Sequence, residues 1–509
     1  MASRPVGGDP VADRHHKLSR IRDELGLDPY GRRLDDLCDL AAARAAHDPN
    51  ATEQNEPHVA VAGRVMLHRD IGRLIFMTLR DHTGDLQIAV SRKQVEEPVF
   101  KLAKLVDLGD VVVARGRVGT TKTGEVTVWV GCEKEPALEM ACKSIAPPPE
   151  KWHGLQDTEL RFRKRYIDLY ANPKVMETFM KRSAIVQRIR SFLTDPPDGL
   201  GPPSVEVETP MMQSIPGGAA ARPFETHHNA LDIDLFMRVA PELYLKRLLV
   251  GGMPRVFEIN RNFRNEGIDH SHNPEFTMLE LYQAFGDYRA MMHLTETMVH
   301  MLAVEVGGSV GLPFRGRTID YTLPFRRAAY HDLFAEHNGF EAADHDRLTA
   351  RAAQLNLEGE GKDKDHDVLL SEVWDATVEQ HLVQPTFVID YPASLCPLTR
   401  TKQGDETIAE RFELFVAGLE LANAYTELND PQVQEANFRR QIAGLEDDEA
   451  TFRNLDHDFL EALRVGMPPA GGLGVGIDRL VMLLTDAQSI RDVILFPLLR
   501  PSRQEQGPE

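Results

Sequence analysis

The chain has 509 residues, of which 58 are Lys or Arg and 78 are Asp or Glu, so its formal net charge is −20. A chain of this length is expected to form two or more domains with a large hydrophobic core. The acidic balance argues against non-specific nucleic-acid binding, because the overall field of the protein repels phosphate. Any contact with RNA must therefore use local basic patches.

Cysteine usage and hydropathy narrow the class of protein further. The four cysteines are scattered and form no Cys-x-x-Cys pair, so neither a zinc site nor a disulfide framework is expected. Residues 1–17 contain no apolar segment, and no stretch approaches the ~20 apolar residues that a membrane span requires. These features predict a cytoplasmic protein that does not enter a membrane.

Residues 1–57 are predicted to form a helical N-terminal extension and a linker. Apolar residues recur at roughly helical spacing between Leu18 and Leu27, and a second short helix is expected over 34–46. The polar segment 48–57 is typical of a linker.

Residues 58–146 are predicted to form a small all-β domain. β-rich runs are joined there by turn signals such as Lys122-Thr123-Gly124. Short strands at this spacing suggest a barrel of the OB-fold type, which binds single-stranded nucleic acid by stacking bases on aromatic side chains. Taken alone, however, Phe76 is better explained as part of the barrel's core.

A boundary is predicted at three consecutive prolines, Pro147 to Pro149, because such runs form stiff, extended connectors. Residues 147–171 would be a hinge before a second domain over 172–500, with a C-terminal tail over 501–509. The second domain is predicted to begin with a long helix that starts at Pro173.

The most informative segment is 256–282, where two runs of period-two alternation flank a polar loop over 267–274. This pattern predicts a long antiparallel hairpin with an apolar back and a polar front. The front combines arginine, asparagine, acidic and aromatic side chains. A solvated sheet face would also be polar, but such faces tend toward mixtures of Lys, Thr and Glu, so this composition favours a binding site.

The same residues carry a family resemblance. FRNEG followed by HNPEFTMLELY resembles motif 2 of the class II aminoacyl-tRNA synthetases, in the form found in lysyl-tRNA synthetases. Further segments resemble lysyl enzymes in the family's order, at 147–169, 215–232, 239–252, 419–430 and 472–485. The resemblance implies an α+β protein, in which an all-β OB-fold domain precedes a catalytic domain with an antiparallel sheet flanked by helices. It also implies activation of lysine with ATP and transfer of the lysyl group to tRNA(Lys).

The implied chemistry joins a carboxylate to the α-phosphate of ATP, so the site needs fixed positive charge and metal ions on the phosphates. By the resemblance, Arg264 is the predicted catalytic residue that binds both reacting groups, because a guanidinium can fork across two anions. Arg479, in GIDRL, resembles the motif 3 arginine that stacks on adenine and is also predicted to be catalytic. The predicted ATP-binding residues are Arg264, Glu266, His272, Asn273, Phe276, Glu413 and Arg479.

Glu413 and Glu420 are predicted to bind Mg²⁺, again by the resemblance. Hard cations prefer carboxylate oxygens and keep water ligands, so two glutamates and the ATP phosphates suffice. The neighbouring glycine-rich segment, GGLGVGIDR, does not match a dinucleotide fingerprint, because Ile477 or Arg479 stands where the third glycine should be.

The predicted amino-acid pocket is rich in carboxylates. Asn423, Tyr425 and Glu427 alternate along one predicted strand, so all three face one way. A bound lysine brings a buried ammonium, which is costly unless it is paired. By the resemblance, Glu427 and Tyr282 would hold the ε-ammonium, although the strand triple alone is equally compatible with an exposed polar strand. The predicted lysine-binding residues are Gly218, Glu242, Arg264, Glu280, Tyr282, Asn423, Tyr425 and Glu427.

Two partner surfaces are also implied. Phe76 and Gln87 would contact the tRNA anticodon, and the region from 172 to Pro210 resembles motif 1, through which class II enzymes form homodimers. A Pro/Gly-rich insertion at 195–203 departs from the usual motif, so the local dimer contacts stay open.

Two alternatives also stay open on the sequence. A ligase that lysylates a protein instead of tRNA would resemble only the catalytic domain, and the β-rich segment 58–140 argues against it. An inactive relative with a scaffold role usually loses its phosphate-binding arginines or metal-binding acids. Here Arg264, Arg479, Glu413 and Glu420 are all present.

Overall fold

A computed structural model gives the structure of the chain and describes residues 9–131, 136–148, 157–218, 221–357, 365–443 and 456–500. The chain divides into two units, Met1–Glu177 and Thr178–Glu509. The predicted tail over 501–509 and the part of the predicted hinge over 149–156 lie outside the described residues.

The first unit contains a strand-rich core with short helices around it. Its helices are α1 (Pro10–Ser19), α2 (Leu40–Ala45), α3 (Glu97–Leu105), α4 (Thr158–Arg163) and α5 (Arg165–Ala171). Its strands are β1 (His58–Asp70), β2 (Leu74–Arg80), β3 (Asp85–Ser91), β4 (Val111–Thr120), β5 (Val126–Val130) and β6 (Leu138–Cys142).

Five of these strands close into a barrel. The first half of β1 pairs with β4 and its second half pairs with β2, and a register shift between Val65 and Leu67 allows the strand to bend. β2 pairs with β3, β3 with β5, and β5 with β4, which completes the circuit, while β6 adds to the free side of β4. Alternate side chains such as Ile75, Met77 and Leu79 fill the interior. The predicted OB-fold is confirmed.

The N-terminal helices differ in extent from the prediction. α1 starts at Pro10, directly after Asp9, whose side chain accepts a hydrogen bond from the backbone of Val11 and caps the helix. The second helix is shorter than 34–46, because Cys38 is held in a β-bridge to Val61 and α2 begins only after Asp39.

The second unit contains a large mixed sheet with helices. The long helix α6 (Pro173–Thr194) starts at Pro173, as predicted, but its residues up to Glu177 belong to the first unit and only the rest belong to the second. The other helices are α7 (Glu242–Val250), α8 (Tyr288–Leu302), α9 (Tyr330–Asn338), α10 (His345–Gln354), α11 (His366–Thr377), α12 (Pro431–Ala443), α13 (His457–Gly466), α14 (Ile477–Thr485) and α15 (Ile490–Val493).

The strands of the second unit are short at its margins and long at its centre. They are β7 (Val205–Glu206), β8 (Met212–Gln213), β9 (Glu225–His228), β10 (Ile233–Met237), β11 (Arg255–Phe263), β12 (Glu275–Ala284), β13 (Gly311–Phe314), β14 (Arg317–Asp320), β15 (Arg326–Ala329), β16 (Thr386–Pro392), β17 (Thr401–Lys402), β18 (Asp405–Val416), β19 (Leu419–Thr426) and β20 (Ala470–Gly476).

The main sheet has the order β15-β16-β18-β19-β20-β12-β11-β7, with β17 paired to β18. It is antiparallel except at its two edges, where β15 pairs parallel to β16 and β7 pairs parallel to β11. The predicted hairpin is confirmed as β11 and β12, with Val256 opposite Tyr282. On its back, Phe257, Leu279 and Leu281 are fully buried in the largest hydrophobic core. The polar side chains therefore lie on the opposite face.

Two stretches lie at the margins of the main sheet. In the segment that resembles motif 1, β7 is only two residues long, and Thr209 beyond it donates from its hydroxyl to Glu258 at 2.7 Å. Residues 318–385 contain α9 to α11 and also supply β15 at the sheet's edge. Among the described residues, no helix combines the length and the apolarity that crossing a bilayer would demand.

Candidate active site

A stripe of glycines in β20 forms the floor of the site. In the sheet, Gly472 lies between Tyr282 of β12 and Tyr425 of β19, and Gly474 lies between Glu280 and Asn423. Because glycine has no side chain, the larger residues on either side leave a hollow on the front of the sheet. Two cavities occupy this hollow, of about 350 and about 210 Å³.

The two cavities share part of their walls. Arg264, Met278, Asn423 and Gly474 line both of them, so the cavities adjoin each other at these residues. The larger one is named here the acidic cavity and the smaller one the arginine cavity. A ligand group in one can therefore meet a ligand group in the other beside the Arg264 guanidinium.

The acidic cavity brings together most of the predicted lysine-binding residues. Those that line it are Gly218, Glu242, Arg264, Glu280, Tyr282, Asn423 and Tyr425. Glu427, the remaining one, follows the end of β19, is 1% exposed, and has its Oε1 next to Gly472, in the space that a Cβ there would occupy. The exposed-strand explanation of the Asn423, Tyr425 and Glu427 pattern is therefore wrong.

Glu427 reaches the floor of the acidic cavity through the space that Gly472 leaves. A Cβ at Gly472 would overlap Glu427 Oε1 and would lie 2.6 Å from Cε1 of Tyr282. This oxygen is buried and has no hydrogen-bond donor among the described residues. A buried carboxylate oxygen without a donor is costly, which indicates a place for a hydrogen-bond donor from a ligand.

Sequence analysis missed Lys246, which lies one helical turn after Glu242 on α7. Its side chain is fully buried, and its Nζ lies 2.6 Å from Glu242 Oε1 and 2.5 Å from Glu427 Oε2. A lysine beside Arg247 in an amphipathic helix looks solvent-exposed in the sequence. The spacing of Glu242 and Lys246 at i and i+4 was the available signal.

The carboxyl groups of this cavity have perturbed acidities. Burial, and then repulsion from Glu242, raise the pKa of Glu280 to about 8. Burial also raises the pKa of Glu427, while the Lys246 ammonium acts in the opposite direction. Since such groups ionise more readily beside a cation, the cavity favours a positively charged ligand.

The arginine cavity brings together the other predicted set. The predicted ATP-binding residues that line it are Arg264, Glu266, His272, Asn273, Phe276 and Arg479, and Glu420 lines it as well. The Arg264 guanidinium lies 5.1 Å from the centre of the Phe276 ring. Arg264 Nε is buried and finds no hydrogen-bond acceptor in the described part of the chain.

Arg479 is held at the entry of α14. Its Nη1 donates to the carbonyl oxygen of Glu420 at 2.5 Å, and its Nη2 donates to His272 Nε2 at 3.1 Å. The preceding residue, Asp478, accepts hydrogen bonds from the backbone of Thr277 and from Arg182, at 2.7 and 2.6 Å. These contacts fix the helix start against the hairpin.

The predicted metal ligands differ in their surroundings. Glu420 lines the arginine cavity and its side chain is 38% exposed. Glu413 lies outside both cavity linings, accepts a hydrogen bond from the Tyr391 hydroxyl at 2.7 Å, and is paired with Arg411. Of the two, Glu420 is therefore the better placed for a metal that contacts ATP.

A further acid of this region, Glu379, was not found from the sequence. Burial raises its pKa to about 8, with repulsion from Asp375, Glu413 and Glu420 adding to the effect. Mutual repulsion of this kind shows that the acids here outnumber the nearby cations. Carboxylate oxygens are the ligands that a hard divalent cation such as Mg²⁺ prefers, and Glu420 is the acid of this group that lines the arginine cavity.

The first unit carries a separate candidate surface, on the outside of the barrel. Phe76 is partly exposed and is absent from the barrel's core, so the interpretation of Phe76 as a core residue is wrong. It lies opposite Ala89, which lies next to Trp129 on the other side. Gln87, on the same face, donates to the Thr127 hydroxyl at 2.8 Å.

Trp129 is a second aromatic on this face that sequence analysis missed. The Arg117 guanidinium lies 5.8 Å from its ring centre. Period-two alternation in 126–130 was the available signal, because it places Trp129 outside and Val128 inside. Phe76 and Trp129 thus present two aromatic rings on one face of the barrel, and single-stranded nucleic-acid sites stack bases on such rings. Arg117 itself is paired with Glu53 and Glu56.

Comparison with known proteins agrees with both units. A family described as "tRNA synthetases class II (D, K and N)" matches residues 157–500, and one described as "OB-fold nucleic acid binding domain" matches residues 59–135. A lysine–tRNA ligase of Pelotomaculum thermopropionicum is 47% identical and covers 96% of this chain and 94% of its own length. One from Moorella thermoacetica is 46% identical, with 97% and 99% covered.

These relatives match the OB-fold segment together with the catalytic segment. A ligase that resembles the catalytic domain alone is therefore not supported as an alternative.

Proposed function

The chain belongs to the lysine–tRNA ligase family of class II tRNA synthetases, and we propose that its acidic cavity binds lysine while its arginine cavity binds ATP. The protein activates lysine in an ATP-dependent reaction and transfers it to tRNA.

The observation that carries this assignment is the position of Arg264 in the wall that the two cavities share. The lysine carboxylate and the ATP α-phosphate are both anions, and they must approach each other to form lysyl-adenylate. A guanidinium between them can donate to both at once, which lowers the barrier by offsetting the developing charge. The attacking carboxylate is already ionised at neutral pH, so the reaction needs no general base.

Lysine is held at its two ammonium groups. Glu242, with Gly218 beside it, accepts from the α-ammonium, and the lysine side chain lies along the row of Tyr282, Gly472 and Tyr425. Glu427 Oε1 then accepts from the ε-ammonium at the floor. A charge-assisted hydrogen bond to a buried carboxylate contributes about 1.5–3 kcal/mol.

ATP is held by its base and its phosphates. The adenine stacks on the Phe276 ring, with Arg479 on its other side and Glu266 at its edge. His272 and Asn273 lie in the loop after β11 and line the arginine cavity, where they can contact the outer phosphates. Glu420 and Glu413 would hold Mg²⁺, which would supply positive charge to the phosphate oxygens.

The tRNA is recognised by the barrel surface of the first unit. Phe76 stacks on an anticodon base and Gln87 reads a base edge, and Trp129 offers a second stacking ring. Local recognition of this kind is required because the net charge of −20 gives no general attraction for RNA.

Two further features belong to the proposal. The protein forms a homodimer through the α6 and β7 region, where the large apolar side chains Met180 and Val205 are 51% and 46% exposed. It acts in the cytoplasm, the compartment that supplies ATP and tRNA. Sedimentation of the purified chain tests the dimer, and a monomer at micromolar concentration would contradict it.

The experiment that tests the site compares Arg264→Lys with Arg326→Lys by lysine-dependent ATP–pyrophosphate exchange. Arg264→Lys keeps the positive charge but loses the ability of the guanidinium to hydrogen-bond two anions at once. The kcat is therefore expected to fall about 100-fold. Arg326 forms an exposed ion pair with Glu336 away from both cavities, and its substitution serves as the matched control. Equal rates for the two variants would refute the assignment of Arg264.

A further inference from the structure

Lys246 is a fully buried ammonium within the amino-acid site itself. It lies on α7, and its Nζ is 5.7 Å from the Tyr425 ring centre and 6.0 Å from that of Phe459. Burying an ammonium is unfavourable unless opposite charges surround it. Burial opposes the charge on Lys246, but Glu242 and Glu427 outweigh this effect and raise its pKa. Lys246 is therefore charged in the folded protein.

The partners of Lys246 are the two carboxylates that the proposed function assigns to the two ends of the substrate. Its Nζ contacts Oε1 of Glu242 and Oε2 of Glu427, at 2.6 and 2.5 Å. The second oxygen of Glu242 accepts from the Tyr425 hydroxyl at 2.8 Å. The second oxygen of Glu427 faces the floor at Gly472. One internal ammonium thus bridges the two carboxyl groups and leaves the second oxygen of each for another partner.

A bridge of this kind fixes the spacing between the two carboxylates. Without Lys246, Glu242 and Glu427 would repel each other, and one of them would move away or take up a proton. With Lys246 in place, its ammonium contacts both carboxyl groups and holds them at a set separation. The separation of the carboxylates decides how long a diamine must be in order to reach both.

We propose that Lys246 is a positioning residue that sets the distance between Glu242 and Glu427, and thereby favours lysine over ornithine, its homologue with one methylene fewer. This inference rests on the proposed function of the acidic cavity. An ornithine bound at Glu242 would fall one methylene short of Glu427. Discrimination by a single methylene is typically ~10–200-fold, so the positions of the two carboxylates must be well fixed to keep it.

The test measures ATP–pyrophosphate exchange with lysine and with ornithine, for wild type, Lys246→Met and Lys246→Arg in the full chain. Lys246→Met has a similar length without charge, and we expect it to raise the KM for lysine about tenfold or more with a smaller change in kcat. The ratio of kcat/KM for lysine to that for ornithine is expected to fall about tenfold. Lys246→Arg keeps the charge but alters the spacing, so it should restore the melting temperature more fully than it restores that ratio.

The matched control is Lys402→Met, which removes a partly exposed lysine paired with Asp390 outside both cavities. It is expected to leave the lysine-to-ornithine ratio unchanged. If Lys246→Met does not fold, Lys246→Arg alone decides the question. An unchanged ratio in Lys246→Arg, or in a folded Lys246→Met, would overturn the inference, because a purely structural lysine predicts that result.

Glu427→Gln separates the two proposals. If it leaves the KM for lysine unchanged, the assignment of the acidic cavity fails, and the role of Lys246 fails with it. If it raises that KM while the Lys246 variants keep the wild-type ratio, only the role of Lys246 fails.

Discussion

Replacing Gly472 by alanine tests the floor of the acidic cavity with a single methyl group. The new Cβ would overlap Glu427 Oε1 and would lie 2.6 Å from Tyr282 Cε1. Real Cβ atoms do not approach other atoms so closely, so at least one of these side chains must move. Both are buried, and Glu427 is also held by Lys246, so the displacement falls on the group proposed to bind the ε-ammonium.

The size of the effect follows from the contact that is lost. Moving Glu427 away from the ammonium removes a charge-assisted hydrogen bond, which contributes about 1.5–3 kcal/mol. At about 1.4 kcal/mol for each factor of ten, the KM for lysine is expected to rise roughly 10- to 100-fold. Overpacking also costs about 1–3 kcal/mol of stability, so the melting temperature should fall by several degrees.

The assay is ATP–pyrophosphate exchange at varied lysine concentration, together with thermal unfolding. Gly311→Ala is the matched control, because it is a strand glycine of the same unit whose Cβ would meet only Thr318 Cγ2, at 3.5 Å. The control should keep the wild-type KM for lysine. A Gly472→Ala protein that is less stable but has an unchanged KM would show that the ε-ammonium does not lie at this floor.

Three further predictions concern single residues. Glu427→Gln is expected to lower lysine activation about tenfold or more, because the amide leaves the ammonium uncompensated, and unchanged exchange kinetics with lysine would exclude this role. Phe76→Ala should raise the KM for tRNA in aminoacylation about 5- to 150-fold, because it removes ~1–3 kcal/mol of base stacking. Lysine-dependent ATP–pyrophosphate exchange should stay at the wild-type rate, and a loss of that exchange would contradict an anticodon role. The pKa of Glu280 is raised to about 8, above its unfolded value of ~4.3. The proton on Glu280 therefore stabilises the folded protein fully below pH ~4.3, and this stabilisation is lost as the pH rises toward 8. Glu280→Gln should therefore gain melting temperature relative to wild type between pH 5 and 8.5, and a constant difference across that range would refute the shifted pKa.

The hairpin of the second unit could be predicted from the sequence because its pattern is local. Period-two alternation and the polar loop specify β11 and β12, and the side chains of one strand face necessarily meet. The family resemblance then supplied residues that are distant in sequence, such as Glu242 and Arg479. The structure brings both into the walls of the two cavities.

What could not be predicted depends on packing between distant elements. Lys246 has the local sequence of an exposed helix residue, and only the approach of α7 to the end of β19 buries it between Glu242 and Glu427. Glu379 lies in a segment without a motif, and its raised pKa arises from burial and then from acids on α11, β18 and β19. The glycines of β20 likewise have a role that no spacing rule reveals, since their function is to leave space between Tyr282 and Tyr425.

The most direct test of the central assignment is ATP–pyrophosphate exchange by the wild-type chain with lysine, aspartate and asparagine side by side. An acidic cavity that balances an ammonium predicts exchange with lysine and none above background with the other two. Exchange with aspartate or asparagine would contradict the assignment of the acidic cavity, because neither side chain offers a cation to Glu427.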